Sequence, residues 1–212
     1  MLPFRRPAVF RLTATTPSPI TYDQDISPKH SLDIHDLDGQ NREWVLEASV
    51  SKISIYKSHN LTLRLPGRIV TSTIDVWQSS NLTLIIDSPS QLGTLQLDPT
   101  LNNVHIIYNH ISSIGKIVLA PARSTSTREK DYGFRSLSFQ ARGEEKFVLA
   151  DEEGTLINPQ GQGAVIKCDE HEGSLPAQLV LSYGSGRDSS DSSTRGWRMA
   201  GLERGAKDYP IL

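Results

Sequence analysis

The sequence predicts an all-β protein: a parallel β-helix, or solenoid, of coils about 21 residues long with a smaller β end-cap. Three observations lead there. Asn60-Leu-Thr-Leu-Arg-Leu65, Asn81-Leu-Thr-Leu-Ile-Ile86 and Asn103-Val-His-Ile-Ile-Tyr108 repeat one pattern, with the asparagines 21 and 22 residues apart. Upstream of each lies a second alternating segment, Lys52-Ile-Ser-Ile55, Thr73-Ile-Asp-Val76 and Thr94-Leu-Gln-Leu97. Alternation with period 2 is the mark of strands, and no stretch carries the 3.6-residue period of a long amphipathic helix.

Each unit therefore holds two short strands. In the first, Ile53, Ile55, Leu61, Leu63 and Leu65 share one face. Ile74, Val76, Leu82, Leu84 and Ile86 take those places in the second, and Leu95, Leu97, Val104, Ile106 and Tyr108 in the third. One coil cannot bury such a face alone. Stacked coils bury it as continuous columns, with strands pairing in parallel at about 4.8 Å. A fourth copy starts at Lys116-Ile-Val-Leu119. Asn60, Asn81 and Asn103 mark one corner, because asparagine tolerates the left-handed backbone of a sharp corner and its amide can bond from coil to coil.

Residues 1–43 read as an N-terminal extension. Its first 22 residues carry Arg5, Arg6 and Arg11 and no acid, which suits a transit peptide, but Pro3, Pro7, Pro17 and Pro19 break the helix such a peptide needs. A disordered or edge-docked tail is expected instead. Arg11 interrupts the only apolar stretch there, so no signal-peptide core is read. The β-helix domain spans 44–183, with a polar excursion loop near 121–133. After the loop, Arg135–Phe139, Lys146–Leu149, Ala164–Lys167 and Gln178–Leu181 are short β-rich segments that either continue the helix or cap its open end. Residues 184–212 read as a Gly/Ser/Asp-rich linker and a tail that docks on a sheet edge or carries a short motif.

Composition narrows function. The 212 residues carry 22 basic and 24 acidic side chains, a net charge of −2, which does not favour nucleic acid or an anionic membrane. One cysteine, Cys168, excludes an internal disulfide framework and a multi-thiolate zinc site, and it reads as a structural thiol in a reducing, cytoplasmic setting. The acidic run Asp33–Gly39 fails as a calcium loop, because position 6 counted from Asp36 is Asn41 where glycine is needed. No Walker sequence, dinucleotide fingerprint or nucleophile elbow is present. No cofactor, metal or catalytic residue is assigned.

The stretch Ile53-Ser-Ile-Tyr-Lys-Ser-His-Asn-Leu-Thr-Leu-Arg-Leu-Pro-Gly-Arg-Ile69, followed by Ser72-Thr-Ile-Asp-Val76, resembles the C-terminal β-helix domain of cyclase-associated proteins, in the superfamily that includes tubulin-folding cofactor C. Gly67-Arg68-Ile69 stands where that family has Gly-Lys-Val, and the match covers about residues 44–120. The resemblance implies a non-catalytic module that binds actin or another cytoskeletal partner, and a homodimer. The GTPase-stimulating arginine of the cofactor C branch has no counterpart, since no arginine occurs between Arg68 and Arg123.

The outward slots supply the binding candidates. Tyr56 and Trp77 recur in one slot with Asp98 next; Arg64, Ile85 and Ile107 form a second column; Thr62, Thr83 and His105 form a third. Tyr56, Trp77, Lys57, Arg64 and Arg68 are the expected protein-contact residues, unless the excursion loop or tail covers them. Two other readings stand beside this one. An enzyme would draw on Asp75, His105 and His110 with acids from 144–172. A structural protein would self-associate through the open coil end or the tail.

Overall fold

A computed structural model describes residues 8–21, 26–87, 92–98, 100–109, 113–120, 134–144, 146–153, 178–184 and 196–202. It is a β-solenoid of about five turns with coils of about 21 residues. Each coil contributes one strand to each of two sheets. The strands are β1 (Val9–Arg11), β2 (Ser31–His35), β3 (Asp38–Val45), β4 (Ile53–Tyr56), β5 (His59–Arg64), β6 (Thr73–Trp77) and β7 (Ser80–Ile86). They continue with β8 (Leu92–Leu97), β9 (Leu101–Tyr108), β10 (Ile114–Leu119), β11 (Phe134–Ala141), β12 (Phe147–Ala150), β13 (Gln178–Gly184) and β14 (Gly196–Leu202). The eight-stranded sheet runs β1-β2-β4-β6-β8-β10-β13-β14, and the six-stranded sheet runs β12-β11-β9-β7-β5-β3.

The apolar alternation sets the register. Ile53 pairs with Ile74 and Ile74 with Leu95; Leu63 pairs with Leu84 and Leu84 with Ile106. Every inward residue expected in the three repeat units is buried, and Ile53, Leu63, Ile74, Leu84 and Ile106 are fully so. In the first two coils a third, irregular side closes the turn, where Val50 pairs in parallel with Ile69. There Gly67 crosses so close to the preceding coil that a Cβ would overlap the Ala48 carbonyl oxygen.

Coil geometry extends upstream of residue 44. β2 and β3 form a complete first coil, with Leu32, Ile34 and Trp44 fully buried, and all of it up to residue 43 lies in the segment read from the sequence as an extension. The alternation Leu32/Ile34 had the right period, but a two-residue insertion in β3 masks the second strand: Asp38 pairs with His59, whereas Arg42 pairs with Leu61. Gly39 sits in that insertion because a Cβ there would lie 2.5 Å from Leu61 Cβ. Before this coil, residues 8–21 dock as a cap. β1 pairs in parallel with β2, Trp44 Nε1 donates to the Thr16 carbonyl at 3.1 Å, and Arg42 donates to Ala14 and Thr16 carbonyls at 2.9 and 3.0 Å.

The far end differs. β10 and β11 continue the parallel stack as the fifth coil. The chain then reverses: β12 lies antiparallel on β11, and β13 and β14 lie antiparallel beside β10. Of the segments expected after the excursion loop, the first continues the solenoid and the second and fourth cap it. Part of the tail forms edge strand β14. The excursion loop, Ala164–Lys167 and Cys168 lie outside the described residues. Among the described residues, no helix is long and apolar enough to cross a membrane.

Candidate functional site

Two corners bend each central coil, and both need left-handed backbone. At one, Asn60, Asn81 and Asn103 have φ of 54°, 49° and 52°. Asn103 Nδ2 donates to Asn81 Oδ1 at 2.9 Å, Asn81 Nδ2 to Asn60 Oδ1 at 2.8 Å, and Asn60 Nδ2 to Asp38 Oδ1 at 3.2 Å. The Asp38 carboxylate ends this ladder. The Gln40 N–H and then the Asn60 amide stabilise its charge and lower its pKa. At the other corner, Asp36, Lys57 and Gln78 have φ of 52°, 47° and 51°. Buried serines satisfy that bend from inside: Ser58 Oγ donates to the Tyr56 carbonyl and Ser79 Oγ to the Trp77 carbonyl, each at 2.9 Å.

The second corner presents an aromatic column on the outer face of the eight-stranded sheet. His35, Tyr56 and Trp77 are paired in register on β2, β4 and β6. The His35 and Tyr56 rings stack 4.7 Å apart at 14°, and Tyr56 and Trp77 lie 5.1 Å apart at 34°. All three are half-buried. Exposed Lys57 places its Nζ 4.8 Å from the Tyr56 ring centroid, and its interaction with Tyr56 raises the lysine pKa. The column is thus a rigid amphipathic ridge with a cation beside it.

Tyr56, Lys57 and Trp77 come together as the sequence suggests. Arg64 and Arg68 do not join them. Arg64 lies on β5 in the other sheet, where its Nε donates to Glu43 at 3.0 Å and its Nη1 to Asp87 at 3.3 Å. Arg142 also grips Asp87, at 2.6 and 2.8 Å, so the four side chains staple coils together. Arg68 is exposed on the segment between β5 and β6. His35 was missed, although it lies 21 residues before Tyr56, because the first coil was read as extension.

Of the residues considered for catalysis, Asp75 and His105 stand on different sheets. Asp75 lies on β6 and is paired with Lys52, whereas His105 lies on β9 in the other sheet. His105 Nδ1 is 2.9 Å from Ser138 Oγ; burial, then the charge of Lys146, holds its pKa below the usual histidine value. His110 lies outside the described residues. Among the described residues, no three His, Cys, Asp or Glu side chains gather to hold a metal ion. Beside the asparagine ladder, a shallow groove of about 210 Å³ is lined by Asn41, Leu61, Thr62, Asn81, Thr83, Asn103 and His105.

No protein-family model matches the chain, and neither a curated protein nor a solved structure matches it significantly.

Proposed function

We propose that the chain is a non-catalytic protein-binding module, akin to the C-terminal domain of cyclase-associated proteins, that docks actin or another cytoskeletal protein in the cytoplasm. The observation that carries this reading is the outward column His35–Tyr56–Trp77 with Lys57 beside it. Aromatic side chains already fixed by a sheet lose little freedom on binding, and large aromatics are the commonest interface anchors. A neighbouring ammonium suits an acidic partner surface. The actin identity rests on the sequence resemblance alone. The separation of Asp75 from His105 supports the binding reading over an enzyme drawn on those two residues.

The test is binding of the full chain to monomeric actin, with Trp77→Ala and Lys57→Glu alongside. The reading expects binding on the order of tens of micromolar or tighter, weakened about tenfold or more by Trp77→Ala. No binding of the wild-type chain at that concentration removes actin as the partner. Equal binding by wild type and Trp77→Ala removes the column as the docking surface.

A further inference from the structure

The aromatic column leaves unexplained the groove on the opposite sheet. The groove follows the solenoid axis across four coils, between the asparagine ladder and the column Thr62, Thr83 and His105. Asn41, from the first coil, and Leu61 complete its lining. Its polar side chains are amides, hydroxyls and one imidazole, with no carboxylate, ammonium or guanidinium among them. Burial keeps that imidazole in its neutral form more readily than a free histidine.

Much of this polar lining is unspent. The hydroxyls of Thr62 and Thr83 make no hydrogen bond with any described residue. A hydroxyl can both donate and accept, and each amide that gives one N–H to the ladder retains a second. The two hydroxyls stand on adjacent coils, as do the ladder amides of Asn81 and Asn103, at the strand spacing of about 4.8 Å. The surface is rigid, because the ladder and the parallel backbone pairing hold it.

The ligand chemistry follows by matching. Phosphate-bearing chains need cations; among the described lining residues there is none, and Lys146, whose charge acts on His105, is not one of them. A peptide adding as a strand needs a free sheet edge, whereas the groove lies over a face whose backbone is already paired. A neutral polyhydroxylated chain supplies both donors and acceptors at regular intervals. An extended β-1,4-linked hexose chain advances per sugar by nearly one strand spacing and flips at each linkage, so successive sugars meet successive coils with alternating edges and the same edge returns at every second coil. The half-buried His105 ring offers one flat surface at the end of the row.

We infer that the groove beside the asparagine ladder binds a neutral, extended β-linked oligosaccharide along the solenoid axis. The site is separate from the proposed protein-docking column and stands or falls independently of it.

Titration of the full chain with cellohexaose, followed by calorimetry or by backbone amide shifts, tests the inference. Weak binding is expected, with Kd near or below about 1 mM. The double variant Thr62→Val/Thr83→Val should weaken it about tenfold through loss of two hydrogen bonds, with an unchanged melting midpoint, since neither hydroxyl has a partner among the described residues. Trp77→Ala should bind cellohexaose as wild type does. No cellohexaose binding up to about 10 mM, or equal affinity in the double valine variant, would overturn the site. Tighter binding of maltohexaose, whose α-linkages coil the chain, would overturn the extended geometry.

Discussion

On the six-stranded face, side chains complete the backbone geometry. The ladder amides bond from coil to coil at corners with positive φ, and Glu43, Arg64, Asp87 and Arg142 tie distant coils by their charges. On the eight-stranded face, the column His35–Tyr56–Trp77 stacks in register, but the bend beneath it is satisfied by Ser58 and Ser79 from inside. The aromatic rings are therefore not what makes that corner. A repeated slot can make the corner's own bonds on one face and leave them to interior residues on the other, and the hydrogen-bond partners distinguish the two cases.

Both faces depend on the shared interior, so the largest effect comes from there. Leu63→Asp and Leu84→Asp each place an unpaired charge at a fully buried position and should unfold the domain. Far-ultraviolet circular dichroism checks this; a wild-type melting midpoint in either variant would refute the inward register. The next effect separates the faces. Asn81→Val removes two ladder bonds and puts a β-branched residue at φ 49°, at a cost of about 2 kcal/mol. Asn109→Val, at an exposed turn outside the ladder, should cost much less in urea unfolding. Equal midpoints would dissolve the claim that the amides hold the corner.

A smaller effect sharpens the electrostatic part. Arg142→Ala leaves Asp87 with Arg64 as its one ion-pair partner among the described residues and should cost about 1 kcal/mol, less in high salt. A salt-independent loss would point to packing instead. Smallest is the titration of His105. Its folded pKa lies below its unfolded value, so the protein binds that proton more readily when unfolded. The neutral imidazole contributes stability above about pH 6.5, and this is lost as pH falls through the folded pKa. His105→Gln should flatten the fall in melting temperature below that pH; an unaltered slope would assign it to other groups.

The middle of the molecule was legible because repetition made it so. Three copies fix the inward slots of β4 to β9, and asparagine announces its own left-handed corner. The second corner was illegible because Asp36, Lys57 and Gln78 are not one residue type, and lysine and glutamine carry little preference for positive φ. The first coil was hidden by the two-residue insertion between Asp38 and Arg42, which broke the spacing and concealed His35 as the start of the aromatic column. The ion pairs of Arg64, expected from the sequence as a protein-contact residue, are not visible there because partners 21 and 23 residues away are neighbours only once the coils stack. The capping strands β12, β13 and β14 follow no repeat, so their antiparallel direction could not be read from spacing.

On the proposed reading, the aromatic column is a surface for recognition and not part of the packed interior. Thermal melting of Trp77→Ala in the full chain tests it most directly. Loss of one tilted ring contact with Tyr56, at a half-buried position, should cost about 1 kcal/mol. A loss of about 3–5 kcal/mol, the cost of deleting a fully buried aromatic, would contradict the claim and make Trp77 part of the core.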